Sequence, residues 1–139
     1  MKWVIDASVA AKWVVPEHDS PLAEALLDDE LIVPDLLFAE VANILWKKQL
    51  RAEMDGPTAL IGARWLLQVP LQVHDSASLL AEALALALRL RHPAHDCLYL
   101  ALAERVEAPL VTADQRLHAR CQAVDARWLG ERVRLLDAR

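Results

Sequence analysis

Four acidic residues are spaced so that a fold could bring them together: Asp6, Glu40, Asp96 and Asp114. Grouped carboxylates are hard oxygen donors, the ligands that Mg²⁺ and Mn²⁺ take alongside water and substrate phosphate. Asp6 closes the apolar run Trp3-Val4-Ile5, and Asp114 stands two residues past Thr112, which ends the run Leu110-Val111-Thr112. Aspartate also favours turns and helix caps after a strand, so neither position decides alone. Glu40 is more telling. In the helical segment 35–51, positions 36–39, 41, 42, 44 and 45 are apolar, and polar residues at Glu40, Asn43, Lys47 and Arg51 fall at helical spacing in one stripe. A stripe of this kind is a solvated face or the lining of a cleft, and apolar residues on nearly every other side favour the cleft. Asp96 lies in the first turn of a helix restarting at Pro93, where an acid also complements the helix dipole. The apolar run 97–103 behind it predicts that this helix is mostly buried.

These side chains need a frame. The chain has 139 residues, about one domain's worth at roughly 100–200 residues per domain, and a single domain over 1–139 is expected. Alanine (24) and leucine (26) dominate while threonine occurs twice and isoleucine four times, which favours helices and leaves few strand formers. Short apolar runs predict strands at 3–5, 31–33, 71–73, 109–112 and 133–136, with helices over 7–15, 21–29, 35–51, 56–67, about 76–91, 93–104 and 114–121. The helix before Arg91 is capped by Asp75 or Ser76, and its apolar face is expected to be Leu79, Leu80, Ala83, Leu84, Ala87 and Leu88. Strands that are continuous apolar runs and alternate with helices indicate a parallel sheet buried on both faces, a three-layer α/β/α sandwich of about five short strands. In such a sheet ligands bind beyond the carboxyl ends of the strands, where Asp6 and Asp114 stand.

Composition narrows the function classes. The longest apolar run, 97–103, is far short of the roughly 18 residues a membrane span needs. Asp6 and Lys12 interrupt any leader-like stretch. Two cysteines, Cys97 and Cys121, suit reduced thiols of a cytoplasmic protein better than a disulfide framework or a zinc site. A net charge of −5 argues against a general nucleic-acid binder working by excess basic charge. Four of those negative charges belong to the acidic set, so the rest of the chain is nearly neutral.

Val4-Ile5-Asp6-Ala7-Ser8, Pro34 through Glu40 to Asn43, His95-Asp96-Cys97-Leu98-Tyr99-Leu100-Ala101-Leu102-Ala103 and Leu110-Val111-Thr112-Ala113-Asp114 resemble, in order and spacing, the motifs of PIN-domain ribonucleases. The likeness extends over essentially the whole chain and is strongest to VapC-type toxins of prokaryotic toxin–antitoxin pairs. The resemblance implies a metal-dependent endoribonuclease using Mg²⁺, with Mn²⁺ as a substitute. It assigns metal binding and catalysis to Asp6, Glu40, Asp96 and Asp114, with Ser8, Asn43 and Thr112 in support. Cleavage leaving a 3′-hydroxyl and a 5′-phosphate is implied as well. The one departure is Cys97, where the family often carries alanine.

RNA must also be gripped by its backbone, and Lys47, Lys48, Arg51, Arg116 and Arg120 are the cations near the acids in sequence. The resemblance further implies a homodimer and a VapB-type antitoxin whose tail fills a groove beside the Glu40 helix, near Trp13 and Trp46. Sequence-specific DNA binding is not expected of this chain itself. Other readings compete less well. A haloacid-dehalogenase-type phosphatase wants a second acid where Ser8 stands, and a receiver domain wants a late lysine, but no lysine follows Lys48. His92, His95 and Asp96 could form a transition-metal site, which would leave the other three acids without a role. A non-catalytic interaction module on the same fold is the alternative from a different class. Four acids converging should also raise at least one carboxyl pKa by mutual repulsion.

Overall fold

The computed structural model describes residues 1–137. Its core is a five-stranded sheet, all parallel, built from β1 (Lys2–Ile5), β2 (Glu30–Pro34), β3 (Leu71–His74), β4 (Leu110–Thr112) and β5 (Val133–Leu135) in the order β3-β2-β1-β4-β5. The helices are α1 (Ala7–Val14), α2 (Ser20–Glu24), α3 (Leu36–Leu50), α4 (Gly56–Leu66), α5 (Leu80–Leu90), α6 (Ala94–Val106) and α7 (Gln115–Gln122). Successive strands step outward from β1 through β2 to β3, and the chain then crosses back to lay β4 on the other side of β1. With right-handed crossovers, this reversal puts α1 to α4 on one face and α5 to α7 on the other. The expected three layers are present. Among the described residues no helix is long and apolar enough to cross a membrane.

The central strands bury nearly every side chain: Val4, Ile5, Val33, Leu110 and Thr112 are fully enclosed. At the edges this fails. Gln72 and Val73 of β3 and Arg134 of β5 are exposed, since an edge strand has a neighbour on one side only. The helix expected over 21–29 is split into α2 and a 3₁₀ turn, Ala25–Asp28. The helix expected from about 76 begins with a 3₁₀ turn, Ala77–Leu79, and α5 follows. Its capping residues divide their work. Asp75 Oδ1 accepts from Ala77 N at 3.0 Å, whereas Ser76 Oγ accepts from Leu36 N at 3.2 Å and so caps α3, a helix distant in sequence.

The buried face of α5 is Ala83, Leu86 and Leu90, continued by Leu79 of the 3₁₀ turn, while Leu80, Leu84 and Leu88 face outward. This corrects the expected face, and the cause is plain: α5 is apolar on every side but the one carrying Glu82 and Arg89, so its periodicity offers two leucine stripes and only packing on α6 chooses. Of α3, Leu37, Val41 and Leu45 are buried and Trp46 and Leu50 are exposed. Trp13 belongs to the core, with its indole N–H donating to the Ala23 carbonyl at 2.8 Å, and adds nothing to an outer groove. Between α7 and β5 lies a 3₁₀ stretch, Val124–Arg132, kinked at Ala126, where no element was expected.

Candidate active site

The sheet order reverses between β1 and β4, which opens a crevice beyond their carboxyl ends. Register pairs Ile5 with Val111, so Asp6 and Thr112 emerge side by side at its floor. Ser8 stitches the two strand ends together: its hydroxyl donates to Asp6 Oδ1 at 2.6 Å, accepts from Ala113 N at 2.9 Å and lies 3.5 Å from the Thr112 hydroxyl. Thr112 Oγ1 in turn accepts from Asp114 N at 3.0 Å, which fixes the turn carrying Asp114. From the flanking layers, α3 supplies Glu40, Asn43 and Lys47, and α6 supplies His95, Asp96 and Tyr99. All of these, with Asp6, Ser8 and Asp114, line one cleft of about 360 Å³. The four acids therefore share a cavity, although they lie far apart in sequence.

Each acid is held by a hydrogen bond to one of its oxygens, and at Asp96 the other oxygen, Oδ1, also faces His95 Nε2 at 3.5 Å. Asp6 Oδ1 takes Ser8 and the Val9 N–H (3.2 Å), which makes Asp6 the N-cap of α1. Asp114 Oδ1 takes the Arg116 and Leu117 N–H groups at 2.9 and 3.2 Å as N-cap of α7. Asp96 Oδ2 takes His92 Nε2 at 2.7 Å, and since a carboxylate only accepts, that nitrogen donates. Glu40 Oε1 takes the Tyr99 hydroxyl at 2.5 Å. The capping use of aspartate and a functional use are thus compatible, because capping occupies one oxygen and leaves the other. Among the described residues no lysine or arginine forms an ion pair with any of the four.

Burial pushes the Asp6 carboxyl up from its ordinary 3.8 to about 6, partly offset by the Ser8, Thr112 and Val9 contacts, with Asp96 adding a small repulsion. Glu40 is also raised, again by burial first, with the Tyr99 hydrogen bond opposing. The expected rise is present, but its leading cause is desolvation rather than mutual repulsion. Tyr99 itself is driven far upward by burial and the nearby Glu40 carboxylate, so its phenol stays a neutral donor.

The donor chemistry fits a hydrated hard cation. Among the described residues no three aspartate, glutamate, histidine or cysteine side chains are grouped as a ready-made metal-binding set. Mg²⁺ does not require one, since it keeps several waters and uses one or two carboxylates. Both His92 and His95 point Nε2 at Asp96, at 2.7 and 3.5 Å, so they engage a carboxylate where a transition-metal site would need them on an ion.

The cations divide. Lys47 lines the cleft, and Arg51 and Arg116 are exposed. Lys48 is paired with Glu17 and Glu53 at 3.1 and 3.2 Å. Arg120 Nε donates to the Leu90 carbonyl at 2.7 Å, closing the end of α5, and its side chain does not line the cleft. Sequence reasoning missed Tyr99 as a site residue, and considered His92 only as a metal ligand. The available signal for Tyr99 was its place three residues after Asp96, on the same helical face, as the one hydroxyl in an apolar run.

Acids at the strand ends of a parallel sheet, completed by two helices, define a nuclease-like α/β centre, and the chain belongs to the PIN-domain family, whose model matches residues 3–122. It is 39% identical over 121 residues to Ribonuclease VapC3 of Pyrobaculum aerophilum, spanning 84% of this chain and 92% of that protein. Among solved structures it resembles PAE2754 of Pyrobaculum aerophilum, with a TM-score of 0.70, 23% identity and coverage of 86% of this chain and 79% of that one. It also resembles Mycobacterium tuberculosis VapC20, a toxin cleaving the sarcin–ricin loop, with a TM-score of 0.66, 15% identity and coverage of 84% and 93%. A Klebsiella pneumoniae toxin–antitoxin complex is similar with a TM-score of 0.54, 15% identity and coverage of 81% and 87%. At these identities the structural likenesses speak to the fold.

Proposed function

We propose that this chain is a divalent-metal-dependent endoribonuclease acting as the toxin of a VapBC-type pair. The observation that carries the reading is the cleft itself: four carboxylates at the sheet's switch point, lining one cavity. Asp6, Glu40, Asp96 and Asp114 would hold Mg²⁺, or Mn²⁺ in its place, which when bound activates a water and polarises the phosphodiester. Ser8 and Thr112 act on the protein side, fixing Asp6 and the Asp114 turn. No histidine hydrogen-bonds Ser8 among the described residues, so nothing equips it as a nucleophile. Lys47 at the cleft, with Arg51 and Arg116 outside it, would take backbone phosphates, and Asn43 would orient substrate one helical turn from Glu40. The name of the VapC3 relative, a ribonuclease, supports RNA as substrate.

An antitoxin partner accords with the toxin–antitoxin complex among the structural neighbours and with the exposed Trp46, Leu50, Leu60, Ile61 and Trp65 of α3 and α4. A homodimer and a cytoplasmic site of action complete the proposal. The test is cleavage of structured RNA by purified protein in Mg²⁺ or Mn²⁺, with Asp6→Asn as control. Cleavage that needs the cation and is lost in the variant is expected. Equal cleavage by both proteins would overturn the assignment, and no cation-dependent cleavage of any RNA would favour the non-catalytic interaction module.

A further inference from the structure

Three of the four acids stand at or just inside a helix start, where donors are at hand. Asp6 and Asp114 use the free N–H groups of the turns they cap, and Asp96 uses His92 four residues before it. Glu40 has no such help. It lies past the first turn of α3, where backbone N–H groups are already bonded within the helix, on a long side chain that is only half-buried. A donor must come from another element. It comes from Tyr99, on α6, one turn beyond Asp96. The ring is 1% exposed within the apolar core, so a phenylalanine would fill the same space, and among the described residues the only hydrogen bond its hydroxyl makes is to Glu40 Oε1.

We propose that Tyr99 is a positioning residue, fixing Glu40 through Oε1 so that Oε2 faces the cleft at a set distance from Asp96 on Tyr99's own helix. This rests on the metal-dependent reading above. Hydrogen-bond partners of ligating carboxylates commonly govern metal affinity by about 10–100-fold. Tyr99→Phe is therefore expected to weaken Mn²⁺ binding to the full chain by about 10–100-fold, measured by the loss of the free-ion paramagnetic resonance signal. The Mn²⁺ concentration for half-maximal cleavage should rise in parallel, with the rate at saturating Mn²⁺ largely restored. In Tyr99→Phe/Glu40→Gln the loss should not exceed that of Glu40→Gln alone, because Tyr99 acts through Glu40.

A core role alone would lower stability and leave Mn²⁺ affinity unmoved, and that result overturns the proposal. Because Tyr99 is the one tyrosine, 3-fluorotyrosine incorporated in the otherwise native chain gives a single ¹⁹F resonance, and the test survives even if the phenylalanine variant does not fold. Mg²⁺ should move that resonance in the native sequence but not in Glu40→Gln. A resonance unmoved by Mg²⁺ that supports cleavage refutes Tyr99's role alone, whereas a native protein that binds neither ion and cleaves nothing refutes the metal-dependent reading and this proposal together.

Discussion

Asp6 pairs a functional position with a cost to the empty protein. Its carboxyl titrates near 6 when folded and near 3.8 when unfolded, so the folded state holds the proton more tightly. The resulting stabilisation is complete below about pH 4 and fades as pH rises through about 6, a loss of order 3 kcal/mol by pH 7 at about 1.4 kcal/mol per unit. Asp6→Asn retains an oxygen for the Val9 N–H and removes the charge. The variant should therefore melt higher than the metal-free native protein at pH 7.5, with the gap closing toward pH 4. A difference that does not vary with pH would show that Asp6 ionises freely. Cys97 offers a second check at this scale. Burial first, then Asp96, pushes its thiol up to about 12, so Ellman's reagent should leave it unmodified in the native protein and react only on unfolding.

At the level of elements, α5 shows where sequence reading stops. Its boundaries were legible to within a few residues, and the strand order of β1 to β5 along the chain was read directly from short apolar runs. The buried face was not, because Leu80, Leu84 and Leu88 form as good a stripe as Leu79, Ala83, Leu86 and Leu90. Alanine scanning distinguishes them: Leu86→Ala should cost about 2–4 kcal/mol in urea unfolding and Leu84→Ala less than about 1. Equal costs would mean that both stripes are covered. The acids were legible for a different reason. Asp6 and Asp114 interrupt or follow apolar runs, and Glu40 stands alone among apolar neighbours, so each breaks a local pattern. Tyr99 breaks none, since a tyrosine among leucines reads as core, and its hydroxyl gains meaning only from a residue on another helix. Ser76 was legible as a cap but not as the cap of α3, since that pairing exists only once β3 has been laid beside β2.

For the whole molecule, a cation that binds only the folded state should add stability by mass action, about 2.7 kcal/mol at 100 times its Kd. Mn²⁺ should thus raise the melting temperature of the native protein at pH 7.5 and have little effect on Asp6→Asn or Asp114→Asn. Equal shifts in native protein and both variants would place the ion elsewhere. The crossing of the chain back over the sheet has a consequence for synthesis. Because β4 pairs with β1, Val4 waits for Leu110 before the cleft floor exists, and Asp114 arrives later still. A nascent chain on the ribosome carries Asp6 and Glu40 early but lacks the strand that closes the crevice until Leu110 to Thr112 have been added. A translation product interrupted before β4 therefore cannot build the cleft floor.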